Sequence, residues 1–495
     1  MSLEELLPIV QGTAEWPTSK EAADAALFKP LFGSPSGRYR ETASKSVTLR
    51  ANPMSGEDAV RFAAYIEPSN PPSGPYSGMS LVLFPAEPGQ PCLISLVLGT
   101  NGLHPDEEIL GRPGHARKAQ ALCAWLNSEH GNGKLVAWAK QDPVRIDTSV
   151  PSEIKEKFAP YAAVFSRYGR ELYAIYAPTA DEAKTREALA AFVDLMFAER
   201  GQKTLATADA DADGLRSRWL AYLMPQVTPA EVVGLLESRR FVIVEGPPGT
   251  GKTRIAEELL KHEYGGRGFP IQFHPNTTYE SFVGGLAPRP RDESLGLSFE
   301  ATRGHLMAAA KLALDEPNGL PVLLHIDEIN RADLAKVLGE AIYLFEPNTP
   351  RKIRLPFDFG APFGSELSLP SNLHVLGTMN TADRSLAIVD VAVRRRFAFA
   401  KLWPQVSVVE QHGGALMLRA FNELVDIFTD HASGDAFNLI PGHSYFIQTD
   451  PADDEAARTQ LKVTLVPLLE EYLSQGYVGG FSEEIRAYLQ WIDSL

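Results

Sequence analysis

The chain has 495 residues, and its 47 Lys and Arg against 62 Asp and Glu give a formal charge of −15. This balance excludes a protein coated in basic surface for nonspecific DNA binding, so any contact with nucleic acid has to be local. Hydrophobic residues make up 44% of the chain and charged residues 22%, as is typical of a folded globular protein.

Cysteine usage and apolar run lengths narrow the class further. Two cysteines, Cys92 and Cys123, are too few for a disulfide framework or a four-cysteine zinc site within one chain. The amino terminus lacks the basic start and long apolar run of a signal peptide. No apolar run approaches the length of about 18 residues that a membrane span needs. The sequence predicts a cytoplasmic protein without membrane contact.

Residues 1–206 have the pattern of an α+β domain. Helical apolar spacing predicts helices at 115–126 and 179–199, while short alternating or buried runs predict strands. The predicted strands are Ser46–Arg50, Ala59–Ile66, Met79–Phe84, Cys92–Leu98, Lys134–Ala139, Ala162–Arg167 and Glu171–Tyr176. A tight turn at 168–169 is predicted to join the last two strands.

A change of pattern follows this domain. Residues 207–214 alternate Asp with small residues and contain few apolar side chains, which predicts a linker. Farther on, Thr228, Pro229 and Glu231 have the spacing of a capping box and predict a helix that ends at Arg239.

Beyond residue 240 the strands alternate with helices, which is the rhythm of a parallel sheet covered by helices. Three buried strands are predicted at Phe241–Glu245, Pro321–Ile326 and Leu373–Thr378. Helical spacing at 415–429 and 458–473 predicts a mainly helical lid. The predicted fold is therefore α/β, with a covered parallel sheet in 215–402, a helical lid in 403–495 and the separate N-terminal α+β domain.

A glycine-rich stretch between the strand at 241–245 and a helix matches the phosphate-binding pattern G-x-x-x-x-G-K-[ST]. Its residues are Gly246, Pro247, Pro248, Gly249, Thr250, Gly251, Lys252 and Thr253. Its glycines let backbone N–H groups face phosphates at the N-terminus of the helix. Lys252 is expected to bridge phosphate oxygens and Thr253 to coordinate Mg²⁺. The alternative of a ligand-free glycine turn is disfavoured, because the full pattern occupies the required strand–helix setting.

Two adjacent carboxylates, Asp327 and Glu328, end the strand predicted at 321–326. Acids at the end of a buried strand are costly unless they are paired or bind a metal. In a P-loop protein the first acid holds the Mg²⁺ shell and the second polarises the attacking water. Such a pair alone would as often be an exposed turn, but the upstream P-loop favours the functional interpretation.

Around these motifs the chain resembles AAA+ ATPases of the McrB and MoxR/dynein-related group. The resemblance covers about 215–495, and 1–206 shows none. The stretches that carry it are Asp327–Glu340, Met379–Ser385 (Met-Asn-Thr-Ala-Asp-Arg-Ser), Gly442–Phe446 and Pro467–Tyr472. The resemblance implies a Mg²⁺-dependent nucleoside triphosphatase that assembles into a ring, expected to be a hexamer.

The resemblance also implies roles at the end of the strand predicted at 373–378. Asn380 takes the place of the sensor residue of AAA+ proteins, where it would hold the lytic water or the γ-phosphate. Asp383 and Arg384 either form a structural pair or help to distinguish the base. McrB prefers GTP, whereas relatives with the same residues are presumed to use ATP, so both nucleotides stay open and ATP is favoured.

Three consecutive arginines, Arg394–Arg396, follow a predicted helix. In AAA+ rings such an arginine reaches the nucleotide of a neighbouring subunit and stabilises transition-state charge. The resemblance favours Arg395 and Arg396 for this role. The alternative is that the cluster only offsets the dipole at a helix C-terminus. His443, beside two aromatic residues, is predicted to be a packed lid residue and not a titrating switch.

By analogy with McrB systems, the N-terminal domain would recognise modified DNA. Two stretches suit that role: a basic loop with Arg112, Arg117 and Lys118, and the aromatic segment Phe165–Tyr173. The basic groups would hold phosphates and an aromatic side chain would stack on a flipped base. A solvated helix start and an ordinary hairpin are the alternatives, and each is favoured for its stretch taken alone.

A nuclease site within this chain is not predicted. Glu153–Lys155 has E-x-K form with Asp142 and Asp147 upstream, but Pro151 and Ser152 indicate a helix start and not the strand that such nucleases use. The resemblance implies that a McrC-like nuclease partner cuts the DNA, within a system for restriction and phage defence. The alternative function is a MoxR-like chaperone ATPase that remodels a protein client, which the negative charge would suit.

Overall fold

The chain divides into two compact units. In a computed structural model, residues 3–33, 35–52, 60–290, 297–346, 349–382 and 391–495 are described. One unit comprises Met1–Leu223 and Phe428–Ser433, and the other Met224–Ile427 and Gly434–Leu495. Within the described parts of the chain, no helix is long and apolar enough to cross a membrane.

The first unit is built on a six-stranded antiparallel sheet. Its strands are β1 (Thr48–Asn52), β2 (Phe62–Ile66), β3 (Met79–Phe84), β4 (Leu93–Leu98), β5 (Ala137–Ala139) and β6 (Leu172–Tyr176). They are ordered β1-β2-β3-β4-β6-β5, and every neighbouring pair is antiparallel. The central strands β3 and β4 are buried along their whole length, so both faces of the sheet are covered.

Within the described residues of this unit, eight α-helices accompany the sheet. They are α1 (Leu7–Val10), α2 (Lys20–Ala23), α3 (Glu107–Gly111), α4 (Pro113–Glu129), α5 (Ser152–Lys157), α6 (Ala162–Tyr168), α7 (Glu182–Glu199) and α8 (Ala206–Leu220). Helix α7 packs on β3 and β4 and is buried over most of its length. The predicted α+β character of this region is confirmed.

One predicted strand of the first unit is wrong. Residues 162–167 form helix α6, in which Val164 and Phe165 are buried while Ser166 and Arg167 are exposed. A short apolar run flanked by polar residues satisfies one turn of a helix as well as it satisfies a strand. The segment therefore enters β6 from a helix and not from a hairpin.

The predicted linker at 207–214 is also wrong, because these residues lie within α8. Alanine favours helix, and the acidic side chains that suggested a solvated linker have partners. Asp211 Oδ2 accepts a bond from Arg38 Nη1 at 2.7 Å, and Trp219 anchors the helix in a buried position. The division between the two units falls after Leu223.

The second unit contains a five-stranded sheet and two small hairpins. Its strands are β7 (Phe241–Gly246), β8 (Gly268–Gln272), β9 (Gly284–Pro290), β10 (Leu297–Arg303), β11 (Val322–Asp327), β12 (Ile353–Arg354), β13 (Glu366–Leu367), β14 (Leu373–Asn380) and β15 (Ala398–Lys401). The sheet has the order β15-β7-β14-β11-β8 and is parallel throughout. The predicted α/β fold with a parallel sheet is confirmed.

Helices cover both faces of this sheet and form the end of the chain. They are α9 (Pro229–Arg239), α10 (Lys252–His262), α11 (Tyr279–Phe282), α12 (His305–Asp315), α13 (Leu334–Leu338), α14 (Val391–Arg396), α15 (Val406–His412), α16 (Gly414–His431), α17 (Gly434–Phe437), α18 (Asp454–Gln460), α19 (Val466–Ser474) and α20 (Ser482–Ser494). The predicted capping box opens α9. The helix predicted at 458–473 is divided by a π-helical turn at Leu461–Leu465.

Alternation of apolar side chains along the central strands explains why both faces are covered. Ile243 and Leu324 face one apolar cluster, while Val242 and Leu323 face the cluster on the opposite side. Such strands are buried on both faces, which is characteristic of a parallel sheet between helix layers. The carboxyl ends of β7, β11 and β14 meet at one edge, the usual position for a ligand in this architecture.

Candidate functional site

The glycine-rich stretch forms a tight loop between β7 and α10. Gly249 and Gly251 have φ of 78° and 80°, a left-handed conformation that glycine adopts without steric cost. The Thr250 hydroxyl donates to the carbonyl oxygen of Pro247 at 2.9 Å and stabilises the turn. The loop therefore delivers backbone N–H groups to the N-terminus of α10, where an anion is favoured.

Lys252 is the first residue of α10 and is 7% exposed. Its Nζ donates to the carbonyl oxygens of Gly246 at 3.0 Å and Pro247 at 2.6 Å. This arrangement keeps the ammonium group inside the curve of the loop. An anion bound there would gain charge-assisted hydrogen bonds from the lysine and the loop together.

Oxygen donors suited to a magnesium ion converge beside this loop. Thr253 Oγ1 donates to Asp327 Oδ1 at 3.1 Å, although the two residues come from α10 and the end of β11. The hydroxyl of Thr378, on β14, donates to the same carboxylate oxygen. Hydroxyl and carboxylate oxygens are the ligands that Mg²⁺ takes together with phosphates and water. The residues present therefore fit the ion that the sequence predicts.

Glu328 adopts an unusual backbone conformation next to Asp327. Its φ is 51°, in the left-handed region that residues other than glycine seldom occupy. Its N–H donates to Thr378 Oγ1 at 3.2 Å. Its carboxylate is ion-paired with Arg331 and accepts a bond from Gln272 Nε2 at 3.3 Å. The side chain is thus held at the edge of the site by two donors.

Asn380 completes the site at the end of β14, where it lies in register with Gly246 of β7. A cavity of about 320 Å³ unites the predicted residues, and its lining includes Lys252, Thr253, Asp327, Glu328 and Asn380. Strand ends and one helix N-terminus therefore bring these five side chains together.

Thr378, Gln272 and Arg331 contact Asp327 or Glu328 and were not predicted from the sequence. The available signal for Thr378 was a polar residue two positions before the predicted sensor Asn380. Gln272 ends β8, and its proximity to Glu328 follows from β8 pairing with β11. Strand order cannot be read from the pattern, so this neighbour was not predictable.

The three arginines form the last turn of α14, and their environments differ. The Arg395 side chain is 71% exposed and the Arg396 side chain 7%. Both place Nη2 3.3 Å from Glu346 Oε1. A group that acts on a neighbouring subunit must be accessible, which favours Arg395 over Arg396 for that role. Asp383 and Arg384 lie outside the described residues.

The basic loop of the first unit is not a free cationic surface. Arg117 donates to the carbonyl oxygens of Thr429 at 3.0 Å and Ala432 at 2.5 Å, in the same compact unit. Lys118 is 8% exposed and is ion-paired with Glu199. Arg117 is half-buried and Lys118 is buried, and both have internal partners, so the assignment of these two residues to DNA phosphates is wrong.

The aromatic segment Phe165–Tyr173 does not form a surface on which a base could stack. Phe165 is 3% exposed and Tyr173 is fully buried, and both belong to the interior of the first unit. Tyr168 packs against Phe84 with ring centroids 5.5 Å apart. The interpretation of an aromatic hairpin that stacks on a base is wrong, because these side chains build the core.

The E-x-K segment lies in helix α5, as its Pro-Ser start indicated. Asp147 forms an ion pair with Arg145, whose Nε lies 2.8 Å from Asp147 Oδ1. Among the residues that the structure describes, no group of three or more His, Cys, Asp or Glu side chains is arranged to hold a metal.

Known proteins are similar to part of this chain. Residues 241–397 match the family model described as "AAA domain (dynein-related subfamily)". The chain is 31% identical over 272 residues to the Type IV methyl-directed restriction enzyme EcoKMcrB subunit of Escherichia coli K12, covering 50% of this chain and 57% of that protein. It is 27% identical over 193 residues to the Type II restriction enzyme BsuMI component YdiS of Bacillus subtilis, covering 32% and 56%.

The chain thus spans about half the length of the curated relatives it matches. A solved structure of a Cytophaga hutchinsonii protein aligns over 36% of this chain and 47% of that chain, with 18% identity and a TM-score of 0.24. The matched AAA domain runs from β7 to the end of α14 and contains the phosphate loop, Asp327, Glu328 and Asn380. Residues 241–397 of the second unit are therefore similar to the AAA domains of the dynein-related subfamily, and part of the chain is similar to the EcoKMcrB subunit.

Proposed function

We propose that this chain is a Mg²⁺-dependent nucleoside triphosphatase, acting on ATP or GTP, that serves as the motor subunit of a McrBC-like DNA restriction and phage-defence system. The observation that carries the activity is the common cavity of Lys252, Thr253, Asp327, Glu328 and Asn380. Each of these side chains stands at a strand end or helix start, where its position is fixed before substrate binds.

Each residue has a distinct chemical task. The loop N–H groups and Lys252 bind the phosphate chain. Thr253 and Asp327 would hold Mg²⁺, which neutralises phosphate charge when bound. Glu328 accepts a hydrogen bond from the attacking water and polarises it, while the amide of Asn380 holds the water or the γ-phosphate in place. Release of Glu328 from Arg331 frees its carboxylate for this task.

A ring assembly supplies the remaining charge. The exposed guanidinium of Arg395 is available to the nucleotide of a neighbouring subunit, where it would stabilise charge in the transition state. We propose a hexameric ring on this basis and on the resemblance to AAA+ motors. The Arg395 side chain is 71% exposed, so its ion pair with Glu346 can be broken at little cost.

Both curated relatives are named as parts of restriction enzymes, which supports restriction over a chaperone role. We propose that the first unit recognises modified DNA and that a McrC-like nuclease subunit makes the cut, in the cytoplasm. The DNA contacts are assigned to the first unit as a whole, because Arg117 and Lys118 are engaged internally.

Turnover by the full chain with ATP, GTP, CTP and UTP, with and without Mg²⁺, tests the activity. Hydrolysis of ATP or GTP only with Mg²⁺ is expected, and absence of hydrolysis of all four would contradict the proposal. Filter binding of the full chain to methylated and unmethylated DNA at low salt tests recognition. No retention of either DNA would contradict it, because phosphate contacts alone are strong at low salt.

A further inference from the structure

Thr378 connects the two carboxylates of the site through a single hydroxyl group. It lies on β14, two residues before the end of that strand, and is 1% exposed. Its Oγ1 donates to Asp327 Oδ1 and accepts a hydrogen bond of 3.2 Å from the backbone N–H of Glu328. One buried side chain therefore contacts both the expected metal ligand and the residue expected to polarise the attacking water.

The direction of both hydrogen bonds follows from the chemistry of the partners. A backbone N–H can only donate, so the oxygen atom of Thr378 must accept from Glu328. A carboxylate oxygen can only accept, so the hydroxyl proton of Thr378 must point to Asp327. A threonine hydroxyl group has one proton and two lone pairs, and this arrangement uses the single proton once. The two contacts are therefore compatible and form together.

The pairing of β14 with β11 brings Thr378 to this position. The two strands are parallel, and their register places Ile326 opposite Gly377. The next residues along the two strands are Asp327 and Thr378, which share one face of the sheet because side chains alternate between faces along each strand. A Cβ on Gly377 would lie 3.0 Å from Ile329 Cδ1, so glycine there lets the turn that begins at Ile329 pack closely on β14.

The backbone of Glu328 needs such a partner because of its conformation. Its φ of 51° lies in the left-handed region, which persists in residues other than glycine only where surrounding contacts enforce it. The hydrogen bond from its N–H to Thr378 is one such contact. Thr253 Oγ1 also donates to Asp327 Oδ1, at 3.1 Å, but Thr253 is itself an expected metal ligand. The orientation of the Asp327 carboxylate therefore depends on Thr378.

We propose that Thr378 is a positioning residue whose hydroxyl group sets the orientation of the Asp327 carboxylate and the backbone of Glu328 together. The inference rests on the proposed nucleotide-hydrolysing function. Hydrogen bonds to a charged acceptor are about twice as strong as neutral ones, so the hydroxyl group holds the carboxylate effectively. Misplacement of a catalytic group by about 1 Å can lower a rate about a hundredfold. Loss of the hydroxyl group should therefore lower turnover without removing the groups that bind phosphate.

Replacement of Thr378 by valine and by serine separates the effect of the hydroxyl group from that of side-chain shape. Thr378→Val keeps the branched shape and should lower kcat of the full chain about tenfold or more, the size typical of losing one hydrogen bond to a charged group. Its KM should change less than about threefold, because the phosphate-binding groups are intact. Thr378→Ser keeps the hydroxyl group and should retain kcat within about threefold of wild type. Equal impairment of the two variants, or a wild-type kcat in Thr378→Val, would overturn the proposal.

Binding of a fluorescent nucleoside diphosphate with and without Mg²⁺ tests the link to Asp327 independently of turnover. The ratio of the Kd without Mg²⁺ to the Kd with Mg²⁺ measures how much the ion strengthens binding. Thr378→Val should lower this ratio about tenfold, the smaller end of the range for losing a group that orients a metal ligand. Its Kd without Mg²⁺ should equal that of wild type, because the loop and Lys252 are unchanged. An unchanged ratio would overturn the assignment to Asp327.

Thr185→Val is the matched control for the loss of a buried hydroxyl group. Thr185 is fully buried in the first unit, and its hydroxyl group donates to the carbonyl oxygen of Asp181 at 3.1 Å. This variant should have a lower melting temperature than wild type, with an unchanged kcat and an unchanged Mg²⁺ ratio. A purely structural role for Thr378 would give Thr378→Val the same result and would overturn the proposal.

Folding of each variant is followed by its melting temperature. If Thr378→Val does not fold, Thr378→Cys decides, because a thiol is a weaker donor than a hydroxyl group and should lower kcat in the same direction. A wild-type kcat in Thr378→Cys would then overturn the proposal. Absence of hydrolysis by wild type would contradict the proposed function, whereas hydrolysis by wild type with an unaffected Thr378→Val would contradict this inference alone.

Discussion

The phosphate loop of the second unit and the basic loop of the first unit were both predicted to bind phosphates, but the structure supports the prediction only for the phosphate loop. In the phosphate loop, Lys252 and Thr253 line one cavity together with the predicted residues at the neighbouring strand ends. In the basic loop, Arg117 and Lys118 have internal partners. The phosphate motif specifies a backbone conformation, because its glycines and its position between a strand and a helix permit few others. The basic loop specifies only the presence of charged side chains. Such side chains can form ion pairs or hydrogen bonds within their own fold as readily as with DNA.

The largest expected effect on catalytic turnover is that of replacing Arg395 in the second unit. Arg395→Ala should lower kcat of the assembled protein by about a thousandfold, the smaller end of the range for an arginine supplied in trans. Arg396→Ala should instead lower the melting temperature, because it breaks a buried ion pair with Glu346. Steady-state turnover and thermal unfolding of both variants provide the check. Equal loss of turnover with equal stability in the two would contradict the assignment by exposure.

A second effect concerns the stability of the first unit. Burial opposes charge on Glu199, but His115 and Lys118 more than offset it and lower its pKa from 4.5 to about 2. A carboxylate with a lowered pKa stabilises the fold above about pH 4.5, and this contribution is lost as the pH falls toward about 2. Glu199→Gln should therefore cost about 3 kcal/mol at neutral pH, since each pKa unit corresponds to about 1.4 kcal/mol.

Urea denaturation at neutral pH and near about pH 3 measures this difference. The gap between Glu199→Gln and wild type should narrow at the lower pH. Glu182→Gln, at the exposed start of the same helix, is the matched control and should show no such gap. A gap that is independent of pH would show that the ion pair is not the source.

A smaller effect is expected at Arg331, which holds the carboxylate of Glu328. Arg331→Gln should raise basal turnover by about fivefold, because a half-exposed ion pair is worth about 1 kcal/mol and its loss frees Glu328. Lys336→Gln removes a neighbouring exposed cation and is the control. Reduced turnover in Arg331→Gln would mean that the arginine supports catalysis and does not restrain it.

Much of the fold was accessible from sequence because its strongest features are local. The capping box at Thr228 and the buried strands at 241–245 and 373–378 appear close to their predicted bounds. Errors arose where tertiary partners decide the outcome. Residues 162–167 satisfy helix and strand equally, and 207–214 become helical because Arg38 neutralises Asp211.

The site shows the same division between local and tertiary information. Lys252 and Asp327 were predictable because their motifs specify chemistry and setting together. Gln272 was not predictable, because its position beside Glu328 depends on strand order. The hydrogen bonds that Gly442 and Ser444 donate to the phosphate loop were not predictable either, because they join backbone segments nearly two hundred residues apart.

The central claim is that Glu328 polarises the attacking water in a triphosphatase site, and single-turnover hydrolysis by Glu328→Gln tests it most directly. This variant should bind ATP or GTP with a Kd close to that of wild type and hydrolyse it at least about 100-fold more slowly. Glu263→Gln, an exposed glutamate after α10, should behave as wild type. Hydrolysis by Glu328→Gln at the wild-type rate would contradict the account.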